Sequence, residues 1–284
     1  MIPGNNGMSM RLCRHLITAL ILTLFTGQLH LHAQVNVTVY CDENYPPYSY
    51  QKKGTAKGIY TRILTRAFNR LTGYTVTIKP VPWKRGLNLL ETGKGFAIYP
   101  PYAHPNKRPY MDYSVPILEE RLTVFTTPRI TKRQNLTRWP QDFMGLRIGK
   151  NRGFVISKDP DYVLAVKAGT IQEEEANGNR QNIMKLAAGR IDVYVNDDLS
   201  ILWELAKLRK CRIYDPAKGH RPIVKGPTIS IHHGFLGFTN RDEGRFFYKE
   251  DFKRQVNTII KSMQKSGEID GIVRQSLATM PCPD

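Results

Sequence analysis

Apolar and polar positions alternate from Val35 to Cys41, with valine prominent, which predicts a β-strand with one buried face. The tract DENYPPYSY follows, and its Pro46 and Pro47 predict irregular chain. From Gly58 to Leu71 the period changes. Ile59, Ile63, Leu64, Ala67, Phe68 and Leu71 recur at helical spacing, and Gly73 stops the helix. Tyr74–Lys79 then reads as a strand, Trp83–Leu90 as a helix closed by Gly93, and Phe96–Tyr99 as a short strand running into the loop PPYAHPNKR.

The same order recurs further on. Leu146–Gly149 reads as a strand, Gln181–Ala188 as a helix, Asp192–Val195 as a strand, Leu199–Leu208 as a helix, and Cys211–Tyr214 as one more strand. Two extended segments, Leu122–Thr127 and Ile229–Thr239, are placed to carry the chain from one unit to the other and back. Helices at Phe252–Gln264 and Ile269–Leu277 return to the first unit. Strand–helix alternation implies parallel sheets with ligand sites at the strand carboxyl ends. Two crossings imply a hinge that closes over a cleft. The expected fold is α/β in two lobes, one of residues 34–126 with 235–284 and one of residues 127–234.

The first 33 residues follow another logic. Arg11 and Arg14 precede an apolar run from Leu16 to Phe25, and a polar stretch ends at Ala33. This is the pattern of a secretory signal peptide, and its apolar core is about half the ~20 residues that span a bilayer. Cleavage near Ala33 would send the protein to the periplasm and lower its net charge from +18 to +16. The basic residues are spread along the chain without a dense run or nucleic-acid motif, so a solvated surface is expected and no nucleic-acid partner. Cys41, Cys211 and Cys282 remain, far apart and without metal spacing; one disulfide is possible, and the pair is open. No metal or other cofactor is expected.

Seven segments carry a resemblance: NYPPYSY (44–50), GIYTRILTRAFNRL (58–71), PWKRGLNLLETGKGFAI (82–98), HPNKRPYMDYSVPI (104–117), GLRIGKNRG (145–153), AAGRIDVYVND (187–197) and SGEIDGIV (266–273). In this order and spacing they resemble solute-binding protein family 3, the two-lobe (type II) periplasmic receptors of polar amino-acid ABC transporters. The resemblance implies a monomer that captures a small amino-acid-like ligand and hands it to the membrane permease subunits.

It also implies site residues. Arg108, just before the Asp-Tyr-Ser triplet at 112–114, is expected to fork onto a ligand carboxylate, which suits a planar guanidinium. Asp197, after the strand of the second lobe, is expected to accept from the ligand's amino group, with Asp198 the alternative and one of the two free to cap the next helix. Tyr45 and Trp83 fall where the family packs a side chain over the ligand, and Tyr102 flanks the loop leading to Arg108. The chain departs from the pattern twice. Pro100, Pro101, Tyr102 and Ala103 replace small hydroxyl residues, and Gly153-Phe154 replaces a Gly-Ser/Thr turn. Pro101 and Phe154 therefore join the expected wall, and the ligand is an amino acid or a bulkier, modified or otherwise related carboxylate.

Two alternatives come with the resemblance. Cyclohexadienyl dehydratases share this architecture and use a cleft acid, but Glu173–Glu175 beside Asn177-Gly178-Asn179 reads as a solvated loop or helix start rather than a catalytic group. A ligand-presenting partner of a separate membrane sensor is the other. His232 and His233 are adjacent on an extended segment, so they point to opposite faces and make a poor metal pair.

Overall fold

The alternation at the start is realised as β1 (Val35–Asp42), with Val37, Val39 and Cys41 buried. The computed structural model describes residues 34–278; the leader expected over residues 1–33 and Cys282 lie outside them. The tract after β1 corrects the expectation of irregular chain. β2 (Asn44–Tyr45), β3 (Ser49–Lys52) and β4 (Thr55–Lys57) form an antiparallel meander. Both prolines sit in the connection between β2 and β3, where no ladder donor is required.

The first lobe continues through α1 (Ile59–Phe68), β5 (Tyr74–Val81), α2 (Trp83–Glu91), β6 (Ala97–Tyr99) and β7 (Met111–Tyr113). The apolar stripe of α1 is buried as its period requires. β8 (Leu118–Thr126) leads into the second lobe, which comprises α3 (Pro128–Thr131), β9 (Arg147–Asn151), α4 (Pro160–Lys167), β10 (Gln172–Ala176), α5 (Asn179–Ala188), β11 (Val193–Asp197) and α6 (Asp198–Lys210). β12 (Val224–Gly234) returns the chain to β13 (Gly237–Thr239), α7 (Lys249–Lys265) and α8 (Glu268–Ala278).

There are two five-stranded sheets. The first has the order β5-β1-β6-β13-β7, with β1 parallel to β6 and β13 antiparallel to both neighbours. The second has the order β10-β9-β11-β8-β12, with β9 parallel to β10 and β11, and β8 antiparallel to β11 and β12. Phe96 meets Phe238, Phe246 and Phe252 edge-on, and Phe252 also reaches Phe68 and Tyr74, which fastens α7 to the first lobe. β8 and β12 pair from Thr126–Val224 to Leu118–Gly234, and this ribbon connects the lobes. At its end Gly234 bridges to Tyr102, and the Phe235 N–H donates to the Pro101 carbonyl at 3.0 Å.

Two further expectations are corrected. Cys211–Tyr214 is a turn after α6, because Tyr214 packs inward and its hydroxyl serves the backbone of Arg221 and Ile223 instead of a ladder. Glu173–Glu175 belongs to strand β10 and is neither loop nor helix start. There Lys150 pairs with Glu173 at 2.5 Å and Lys185 with Glu174 at 2.9 Å, so cations on adjoining elements offset the like charges. Cys41 is free and buried, while Cys211 is disulfide-bonded.

The second lobe also holds an ion pair at its sheet margin. Asp192 accepts from the Arg147 backbone N–H, Nε and Nη2, each at 3.0 Å. Asp192→Asn is expected to lower stability by about 1–2 kcal/mol, since the guanidinium is partly solvated. Urea melts at neutral pH measure it, and an unchanged midpoint would place the pair among the energetically silent ones.

Candidate functional site

A cavity of about 810 Å³ lies between the lobes. Asn44, Tyr45, Tyr102 and the hinge residues Glu120, Leu122 and His232 form one wall; Asn151, Phe154, Asn179, Arg180, Asn196, Asp197, Ser200, Trp203 and Glu204 form the other. The volume suits a small metabolite.

Strand β8 delivers Glu120. Leu118, Glu120, Leu122 and Val124 share one face of that strand by its period of two, so an acid stands in an otherwise apolar row. Glu120 is 1% exposed. Its Oε1 accepts from the Tyr60 hydroxyl at 2.7 Å, and its Oε2 from those of Tyr45 and Tyr102 at 2.5 and 2.6 Å. Burial pushes its carboxyl up, against the pull of these donors. His232, opposite Glu120 on β12, stacks on the Tyr102 ring at 5.1 Å.

Asp197 ends β11 and caps α6. Its Oδ1 accepts from the Ser200 N–H at 2.8 Å, as an N-cap does, and its Oδ2 from the Tyr48 hydroxyl at 2.6 Å. Burial raises this carboxyl to about 7 despite those two donors, and the charge of Glu120 adds to the rise. Tyr48 stacks on Tyr45 at 5.0 Å, so one tyrosine pair serves both acids. Among the described residues neither Glu120 nor Asp197 has a cationic partner. Behind this wall, Asn179 Oδ1 accepts from the Tyr194 hydroxyl at 2.7 Å and from Asn151 and Asn196 amides at 2.9 Å, which holds the rim of α5 in place.

Of the residues expected from sequence, Tyr45, Tyr102, Phe154 and Asp197 line this cavity. Asp198 does not; it pairs with Lys225 at 2.6 Å. Arg108, Trp83 and Pro101 also stand off the lining. The Arg108 Nη1 donates to the Tyr102 carbonyl at 3.1 Å, and its guanidinium lies 5.6 Å from the centre of the Trp83 ring. Trp83 packs toward Leu90, Ile98 and Tyr110, and Pro101 anchors the incoming hinge strand. Glu120, Tyr48, Tyr60, Trp203 and Glu204 were not singled out in the sequence. The lone acid in the apolar row of β8 was the available signal for Glu120.

Two α/β lobes joined by an antiparallel pair of strands, with a polar cavity at the junction, define the two-lobe type II periplasmic-binding fold. The chain belongs to the bacterial extracellular solute-binding proteins, family 3, whose model matches residues 37–278. No curated protein sequence matches it. Solved structures similar in fold include an ancestral cationic amino acid solute-binding protein, AncCDT-1, at TM-score 0.60 and 18% identity, over 85% of this chain and 95% of that one. Substrate-binding domain 2 of Lactococcus lactis GlnP matches at 0.61 and 16%, over 87% and 97% of the two chains. The L-cystine solute receptor of Neisseria gonorrhoeae matches at 0.59 and 20%, over 86% and 93%.

Proposed function

We propose that the protein is exported by its leader, captures a small amino-acid-like solute between its lobes in the periplasm, and passes it to the permease subunits of an ABC transporter. It acts as a binding protein, not an enzyme. The observation that carries this reading is Asp197, a buried acid on the cavity wall without a cationic partner among the described residues. A ligand amino group supplies the missing charge. The lobes, 34–126 with 235–284 and 127–234, close by bending of β8 and β12, and ligand contacts on both walls favour the closed state. Names of structural relatives, a cationic amino acid binder and an L-cystine receptor, support an amino-acid-like ligand.

A thermal-shift screen of amino acids and amines tests the reading. A true ligand at 100 times its Kd stabilises by about 2.7 kcal/mol. Absence of any shift from a folded protein would sink it. Arg108→Ala is expected to weaken binding by less than about tenfold, because the guanidinium acts through the Tyr102 carbonyl. A loss of about 30-fold or more would instead mean that Arg108 swings onto a ligand carboxylate.

A second reading rests on the same aspartate. A cleft carboxyl titrating near 7 stays partly protonated at neutral pH, as an acid catalyst requires, and AncCDT-1 is also described as a precursor of cyclohexadienyl dehydratase. Turnover of prephenate that is lost in Asp197→Asn would favour it.

A further inference from the structure

We infer that the Tyr48 hydroxyl and the Asp197 carboxylate form a latch between the lobes, one that holds the cleft closed with no solute contributing to the bond. The latch does not depend on which solute the receptor takes, so it goes beyond the reading above.

Both halves of the bond belong to the protein and come from opposite lobes. Tyr48 lies in the connection between β2 and β3 of the first lobe, and Asp197 ends β11 of the second. The hydroxyl donates to Oδ2 at 2.6 Å, the length of a charge-assisted hydrogen bond. Each partner is held in place on its own side. The buried Tyr48 ring packs against Tyr45 and Tyr60, with centroids at 5.0 and 5.9 Å, and the Tyr48 carbonyl accepts the Tyr60 N–H at 2.9 Å. Asp197 is fixed by the Ser200 N–H, which donates to its Oδ1 at 2.8 Å. Little further ordering is needed when the lobes meet.

The hinge makes this bond sensitive to opening. Leu122–Thr126 of β8 lies between β11 and β12, whereas Leu118–Arg121 pairs with β12 alone. Bending is easiest in the two-stranded part, where one ladder resists it instead of two. Asp197 pairs in register with Leu122, about 10 Å along the strand from Glu119. A bend of about 20° at Glu119 moves Asp197 by roughly 3–4 Å, more than a hydrogen bond tolerates.

Packing close to the latch is open. Trp203 on α6 faces Pro47, Tyr50, Ile59 and Arg62 of the first lobe across a second cavity of about 480 Å³. Surfaces separated by a cavity forgo dispersion contact, so the hydrogen bond supplies what that gap does not. The bond is also asymmetric. Without the hydroxyl, the closed cleft leaves an ionised carboxylate buried with an unfilled acceptor, and opening to water relieves it. A receptor biased toward closure avoids the loss of affinity that a scarce closed state imposes, and its solute enters through transient openings.

Small-angle X-ray scattering tests the latch on protein unfolded and refolded to strip bound solute. Measurements at pH 8 keep Asp197 ionised, since it titrates near 7. The unsubstituted protein should scatter as the more compact particle. Tyr48→Phe keeps the ring and should raise the radius of gyration, its closed-to-open ratio falling by about 10- to 100-fold. Tyr50→Phe removes a hydroxyl from the same meander and should change nothing. Asp197→Asn should stay compact, because its amide oxygen still accepts from Tyr48, and adding Tyr48→Phe to it should expand the particle. That pair decides the matter if Tyr48→Phe alone fails to fold. Equal scattering with and without the Tyr48 hydroxyl would overturn the latch, as would an equal expansion in Tyr50→Phe. No solute enters these measurements, so a silent solute screen would sink the receptor reading and leave this result standing.

Discussion

Asp197→Asn is expected to make the unliganded protein more stable at pH 7.5 and to weaken ligand binding by about 30-fold or more. An aspartate in an unfolded chain titrates near 3.9, and in this fold burial moves Asp197 to about 7. The native state therefore holds the proton more tightly. Its stabilising effect is complete below about pH 4 and is lost as pH rises through 7. Above that, the ionised, unpaired group costs at most about 4 kcal/mol. Asparagine removes the charge, remains a good N-cap for α6, and still accepts from Tyr48 or Ser200. A rise of several degrees in Tm is expected at pH 7.5, shrinking toward pH 4.

Binding moves the other way. The ligand cation needs the ionised carboxylate, so below pH 7 the protein must first release a proton. Affinity should fall by up to about tenfold per pH unit on the acid side of 7 and level off above it. In Asp197→Asn, affinity should drop by about 2–5 kcal/mol, since the ligand loses a buried counter-charge. Melting curves and calorimetry between pH 4.5 and 8.5 measure both effects. A lower Tm with intact affinity would remove Asp197 from the site.

Gly58→Ala is expected to destabilise the protein by about 3 kcal/mol or more and to damage the site indirectly. Gly58 precedes α1 with φ 114°, a conformation that L side chains rarely adopt. An added Cβ would stand 2.4 Å from the Tyr48 carbonyl oxygen and 2.9 Å from that of Pro47. Both obstacles are backbone, so no side-chain rotation relieves them. The same two carbonyls accept the first N–H groups of α1, from Ile59 at 3.0 Å and Tyr60 at 2.9 Å. Displacing them shifts Tyr48 against Asp197 and Tyr60 against Glu120. Gly54→Ala is the control, with φ 75° but nothing within 4 Å of the new Cβ, and should cost only about 1 kcal/mol. Equal losses in the two variants would show that the steric contact is not the cause.

The strand and helix order was legible because hydrophobic periodicity is a local property. Val35–Cys41 and the α1 stripe announce their geometry over a few residues, whatever packs on them. Legibility failed where a neighbour supplies the stabilisation. Glu173–Glu175 looks like solvated chain until Lys150 and Lys185 are placed beside it. Asn44–Tyr45 becomes a strand only by pairing with Ser49–Tyr50.

The site divides along the same line. Sequence alone determined the α/β alternation, the two crossings between lobes, and Asp197 at the mouth of a strand, all of which follow from patterns along one segment. Tertiary structure decided which residues meet across the hinge. It turned Arg108 onto Tyr102 and Trp83, away from the cavity lining, and brought three tyrosine hydroxyls from three separate segments onto Glu120. The physical reason is that side-chain direction and charge pairing depend on the placement of distant strands, which no local period encodes.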